Sequence, residues 1–185
     1  DVVGHWYGGL GLAGVLACAL FAAVSGSSPA TVVAIGSILM PAMVRAGFPN
    51  RFGAGVITTS GALGILIPPS IVMVMYSVAT NTSVGALFMA GVIPGILLAI
   101  TLGSVTWYRA RKFDYPRMPK ASFGERVKSF RESVWGLFLI VVVMGGIYSG
   151  MFTPTEAAAM SAVWAFITAV FIYRDMGLKD VPKVL

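Results

Sequence analysis

Two long stretches of this chain carry no formal charge: no Asp, Glu, Lys or Arg occurs within residues 2–44 or within residues 52–108. A helix at the surface of a soluble protein shows water a charged face, so uncharged runs of this length fit the interior of a bilayer. Over the whole sequence 57% of residues are hydrophobic and 11% are charged, against ~25% charged in an ordinary soluble domain. The fold class expected is an all-α polytopic membrane protein. The remaining charge is segregated. Arg109, Arg111, Lys112, Arg117, Lys120, Arg126, Lys128 and Arg131 fall in one interval, opposed nearby only by Asp114, Glu125 and Glu132. That is the positive-inside pattern of a cytoplasmic loop. It assigns the net charge of +6 to the lipid bilayer surface, not to nucleic acid.

Both uncharged runs are interrupted by helix breakers. The first break is Ser25-Gly26-Ser27-Ser28-Pro29-Ala30-Thr31, and the second is Gly61-Ala62-Leu63-Gly64-Ile65-Leu66-Ile67-Pro68-Pro69-Ser70. In hydrocarbon, backbone that leaves the helix must find partners in protein or in a watery cavity. Transporters place ions and substrates at such broken helices. Residues 6–44 are either two full spans with a tight turn or a re-entrant hairpin. A tip without charge, Asn or Asp favours the hairpin, with Ser28 able to cap its second leg and Pro29 in that leg's first turn.

The rest of the chain divides readily. A charged turn holding Arg45 and Arg51 leads into a helix over 52–80, broken near its middle by Pro68 and Pro69, each costing an uninterrupted helix ~3 kcal/mol or more. Residues 84–108 are long enough to span, with a kink expected at Pro94 and an interfacial anchor at Trp107 and Tyr108. The basic interval 109–131 is expected to be a cytoplasmic loop, with a short amphipathic helix over 122–130. Residues 132–185 hold two further transmembrane helices, over 133–149 and 155–173. With the basic loop inside, Arg45 and Arg51 also fall inside, as do Arg174, Lys179 and Lys183. Asp1 stands directly ahead of the first apolar run, so the chain reads as an internal piece of a longer protein.

The breaks supply a defined chemistry. Carbonyls freed by an unwound helix, joined by hydroxyls, form a cage of uncharged hard oxygens suited to an alkali cation. Ser25, Ser28 and Thr31 offer hydroxyls, and Gly61, Gly64, Ile67 and Pro68 offer carbonyls. An anion would instead meet the amides and positive dipole end of the second hairpin leg, with the hydroxyls of Ser27, Ser28 and Ser70. No Asp or Glu lies within residues 2–108, so this part has no carboxylate proton carrier and sodium coupling is the expectation. Thr153-Pro154-Thr155-Glu156 reads as a capping box with a first-turn proline, a structural role. Cys18 reads as packing. His5 has no partner at metal-ligand spacing. No nucleophile and base come together, and neither an enzyme nor an organic cofactor is expected.

These motifs, together with Gly150-Met151-Phe152-Thr153-Pro154-Thr155-Glu156-Ala157-Ala158, resemble the large membrane (M) subunit of tripartite ATP-independent periplasmic (TRAP) transporters over essentially the whole chain. The resemblance implies an elevator-type, sodium-driven importer of organic acids, such as C4-dicarboxylates or sialic-acid-like sugar acids, in the bacterial inner membrane. It implies a small membrane (Q) subunit and a periplasmic substrate-binding protein (P) as partners, and Na+ as the coupling ion. It also implies two inverted repeats, with residues 1–108 as the transport region of the first and 132–185 beginning the second. On the same basis Ser25, Ser28, Gly64, Ile67 and Pro68 would line a sodium site. Ser27 and Ser70 would face substrate, and Thr31 is grouped with them. A channel-like or proton-coupled permease of similar architecture is the alternative.

Overall fold

The computed structural model describes residues 6–117 and 122–173. His5, Lys120, Arg174, Lys179 and Lys183 lie outside the described residues. The elements are α-helices: α1 Gly9–Ser25, α2 Ser28–Arg45, α3 Asn50–Gly61, α4 Leu63–Leu66, α5 Ile71–Thr80, α6 Val84–Lys112, α7 Phe123–Tyr148 and α8 Pro154–Ile167, with a π-helical turn at Thr168–Ile172. Among the described residues four segments are long and apolar enough to cross a membrane: Ser28–Arg45, Asn50–Thr80, Val84–Lys112 and Thr155–Ile172. Gly9–Ser25 and Ser133–Tyr148 are shorter apolar helices. The chain divides into two compact units, Asp1–Ser129 and Phe130–Leu185.

In the first unit α1 and α2 form a hairpin joined by Gly26 and Ser27. The buried positions of α1 are mostly small: Gly11, Gly14, Cys18 and Ala22 recur every three or four residues, with Val15 beside them. That spacing lines one helix face, and small residues let neighbouring backbones close in. Thr106 and Phe52 press on Gly11, and Leu39 presses on Gly14. Val15, Leu39, Met43, Phe48, Phe52, Val56, Ile57 and Ala110 form the buried core beside this face.

Contacts fix which ends lie together. Gly8 abuts Ala110, and Tyr115 sits edge-on to Phe52 at 4.7 Å and to Phe48 at 5.8 Å. The start of α1, the end of α2, the start of α3 and the end of α6 therefore share one end, which carries Arg45, Arg51 and Arg109. The hairpin tip lies away from that end, at the level of the break between α4 and α5. The ten residues of α5 carry the chain ~15 Å beyond the break before it turns into α6. The hairpin tip thus lies beside the break, with α5 continuing past it.

Two boundaries differ from the expectation. Helix α6 runs through Pro94 and on to Lys112, so Arg109, Arg111 and Lys112 complement the dipole of its last turn. Arg111 lies over the Trp107 ring at 5.4 Å. The short helix expected over 122–130 and the span expected over 133–149 are one continuous helix, α7. The reason is local: residues 125–145 contain no proline and, before Gly145, only the single Gly136. A change from charged to apolar side chains does not end a helix.

In the second unit the Trp164 Nε1–H donates to the Trp135 carbonyl at 3.1 Å, and Trp164 packs against Phe138 at 5.1 Å. The expected capping box is present. The Glu156 N–H donates to the Thr153 hydroxyl at 3.3 Å, and the Thr153 N–H donates to the Glu156 carboxylate at 2.8 Å. Thr153→Ala removes an acceptor for a free first-turn amide. It is expected to lower the thermal unfolding midpoint of the complete protein in detergent by a few degrees.

Candidate functional site

The hairpin tip is held by short-range hydrogen bonds. Gly26 ends α1 at φ 60° with its N–H on the Ala22 carbonyl. Ser27 is extended (φ −131°, ψ 121°) and makes no side-chain cap. Its carbonyl accepts from the Thr31 N–H at 3.0 Å and from the Thr31 hydroxyl at 2.8 Å. The Ser25 and Thr31 hydroxyls share a hydrogen bond at 3.1 Å. Ser28 is the first residue of α2 and not its cap, a correction to the expectation that follows from Ser27 being the residue with extended backbone.

The break follows from the proline pair. Helix α3 ends at Gly61, α4 is a single turn, and Ile67 is extended at φ −80° and ψ 120°. The Pro68–Pro69 bond is cis. Neither proline has an N–H, so the carbonyls of Gly64 and Ile65 lose their helical donors. The Ser70 hydroxyl supplies Ile65 with a replacement at 2.9 Å. The Ile67 N–H is committed to Leu63 at 2.8 Å. The Gly64 carbonyl has no N–H four residues on to receive.

Tip and break meet through backbone. The Ile71 N–H donates to the Gly26 carbonyl at 3.1 Å. A Cβ on Gly64 would lie 2.7 Å from the Ser27 carbonyl carbon, 2.8 Å from the Ser28 nitrogen and 2.9 Å from the Ser27 oxygen. A Cβ on Gly26 would lie 2.6 Å from the Pro69 oxygen. Behind the break, Gly91 and Gly95 of α6 admit the Leu66 carbonyl and Ile67.

The structure therefore brings Ser27 and Ser28 against Gly64, and Gly26 against Pro69 and Ile71, with Ser25 and Thr31 beside them on the tip and Ser70 within the break; Ile67 packs on Gly95 of α6, and Pro68 follows it in the chain. Three of their hydroxyls have internal partners: Ser25 with Thr31, Thr31 with Ser27, and Ser70 with Ile65. Ser28 makes no side-chain hydrogen bond among the described residues. Thr31 and Ser70 are buried, at 0% and 1% exposure.

Ser60 was not among the residues singled out from the sequence. It is fully buried one residue before Gly61, and its hydroxyl has no partner among the described residues. Its neighbours Thr58 and Thr59 donate back to Ala54 and Gly55 at 2.7 Å, the usual way a helical hydroxyl is satisfied. Nothing in the run Thr58-Thr59-Ser60 distinguishes the third hydroxyl from the first two.

No ionisable side chain is among these residues. Among the described residues no three His, Cys, Asp or Glu side chains gather. The junction offers uncharged oxygens, the C-terminal ends of α1 and α4, and the N-terminal ends of α2 and α5. Carbonyl ends attract a cation and amide ends attract an anion.

Comparison with known proteins agrees with this architecture. The family described as "Tripartite ATP-independent periplasmic transporter, DctM component" matches residues 1–185. The C4-dicarboxylate TRAP transporter large permease protein DctM of Rhodobacter capsulatus is 69% identical, covering 100% of this chain and 45% of the relative. The protein of the same description from Pseudomonas aeruginosa is 59% identical, covering 99% of this chain and 43% of the relative. The ectoine/5-hydroxyectoine TRAP transporter large permease protein UehC of Ruegeria pomeroyi is 43% identical, covering 97% of this chain and 42% of the relative. The chain thus spans less than half the length of the relatives it matches. A match over all 185 residues, with the hairpin and broken helix in place, shows that the chain belongs to the family of TRAP transporter large permease components.

Proposed function

We propose that the complete protein is the membrane permease of a sodium-coupled importer of organic acids, and that the hairpin–break junction forms part of its sodium site. One observation carries the reading: two interrupted helices meet through backbone at a place where a carbonyl, that of Gly64, has lost its helical donor to a proline. The Gly64, Ile67 and Pro68 carbonyls with the Ser25 and Ser28 hydroxyls would supply neutral oxygens for an ion of single charge. The first-turn amides of α2, flanked by Ser27, Thr31 and Ser70, would face a substrate carboxylate.

Among substrates, a C4-dicarboxylate is favoured. The relatives at 69% and 59% identity bear that name, and the ectoine relative stands at 43%. The family's tripartite description supports a periplasmic binding protein that delivers substrate and a small membrane subunit as partner. The bacterial inner membrane is the setting for such an assembly. The close backbone contact between tip and break favours their moving as one rigid body, as an elevator mechanism requires.

Uptake of labelled succinate into proteoliposomes carrying the complete permease, its small subunit and its binding protein tests the proposal. A sodium gradient should drive accumulation. Ser28→Ala should raise the sodium concentration for half-maximal uptake several-fold while the complex assembles normally, since loss of one ligand of about 1 kcal/mol is a roughly fivefold effect. Uptake driven equally by a proton gradient in sodium-free buffer would overturn the coupling.

A further inference from the structure

A second feature lies at the arginine-bearing end of the first unit, away from the junction. A groove of about 530 Å³ runs between α3 and α6, a size at which a protein can hold a sizeable ligand. Its walls are mostly apolar: Gly55 and Val56 on α3 face Leu102 and Val105 on α6, with Thr106 beside them. Thr59, also on the wall, has its hydroxyl turned back onto the Gly55 carbonyl. Arg51 and Arg109 border the groove at the end where α3 begins and α6 finishes, and the Phe52–Tyr115 pair lies beside them. From Arg51 to Thr59 and from Arg109 to Leu102 the helices advance ~10–12 Å into the uncharged runs.

Among the described residues no carboxylate is paired with either guanidinium of this groove, and the contact of Arg109 is with the Phe113 ring at 5.9 Å. No Asp or Glu occurs on α2, α3 or α6. On the other flank of α3, Arg45 and Arg51 border a second groove of about 670 Å³, lined by Met40, Pro41, Val44 and Ala54. Three cationic side chains thus gather about the start of one helix, each beside apolar wall.

We propose that the α3–α6 groove seats an anionic phospholipid of the cytoplasmic leaflet, its phosphate between Arg51 and Arg109 and an acyl chain along Gly55, Val56, Leu102 and Val105. The charge pattern places this end at the cytoplasmic face, where anionic head groups are available to basic pockets between helices. A dissolved anion such as phosphate would use the guanidiniums but leave ~10 Å of apolar wall without a partner. A phospholipid matches both parts.

The test uses the complete permease with its small subunit, delipidated in detergent and supplied with phosphatidylglycerol, or with phosphatidylethanolamine of the same tails. Lipid retained per complex is read by native mass spectrometry. Wild-type protein should retain phosphatidylglycerol in preference to phosphatidylethanolamine. Arg51→Gln/Arg109→Gln should cut phosphatidylglycerol retention by about fivefold or more, with little change for phosphatidylethanolamine. Val105→Trp, which fills the apolar wall and keeps both charges, should cut it too and serves if the double variant does not assemble. Equal retention of the two lipids, or undiminished phosphatidylglycerol in Val105→Trp, overturns the proposal. So does displacement of the lipid by millimolar inorganic phosphate, which would mark a site for free anions. No arm measures transport, so failure here leaves the sodium reading untouched.

Discussion

Replacing Gly64 with alanine is expected to raise the sodium concentration for half-maximal uptake ten- to a hundredfold, with the complex still inserted and assembled. The new methyl carbon would stand 2.7–2.9 Å from three atoms of the Ser27–Ser28 backbone. None of these is the end of a flexible side chain, so relief requires tip and break to move apart. Overpacking of this kind costs ~1–3 kcal/mol, and each 1.4 kcal/mol charged to a bound state is about tenfold in affinity. The loss should fall on ion binding because the gap opens beside the Gly64 carbonyl itself. Gly85→Ala is the control. It adds the same methyl group to the start of α6, where the nearest atom is the Ser83 hydroxyl oxygen at 3.8 Å. Sodium dependence in Gly64→Ala indistinguishable from that of Gly85→Ala would remove the junction from the ion site. Loss of the complex from the membrane would show instead that the contact chiefly serves folding.

How much of this was legible beforehand depends on the range over which each feature is encoded. Local signals were sufficient where a residue's own chemistry decides its backbone. Pro68 and Pro69 cannot donate, so the helix opened there; Thr153 and Glu156 satisfy each other three residues apart, so α8 began there. The uncharged runs marked where the apolar helices α1 to α6 lie. Local signals were insufficient at the end of the basic interval, where the helix expected over 122–130 and the span expected over 133–149 are one helix, α7. Side-chain partners within the site were also hidden. The hydroxyls of Ser25, Thr31 and Ser70 can each donate or accept, and only the folded chain shows them turned to one another or to Ile65. Least legible was the pairing of Gly26 with Ile71, forty-five positions apart, and the orphaned hydroxyl of Ser60. Such pairings depend on how the hairpin lies against the broken helix. No spacing rule within either segment specifies that.

The pairing at Gly26 leads to the second large effect. Gly26→Ala is expected to abolish sodium-driven uptake, because two independent costs fall on one methyl group. At φ 60° an alanine pays ~1–2 kcal/mol for left-handed backbone. Its Cβ would also stand 2.6 Å from the Pro69 oxygen and 3.3 Å from the Ile71 nitrogen, the residue whose N–H holds the Gly26 carbonyl. Rotating the backbone to relieve the first cost swings that carbonyl away from Ile71. Moving the break to relieve the second stretches the same hydrogen bond. Gly26→Asn separates the two contributions, since asparagine tolerates the left-handed region but carries a Cβ in the same place. If the contact with Pro69 dominates, Gly26→Asn should be as inactive as Gly26→Ala. If backbone conformation dominates, it should recover a measurable fraction of uptake. Full activity in Gly26→Ala, with normal sodium dependence, would show that tip and break need not touch during transport, and the rigid-body reading would fall with that contact.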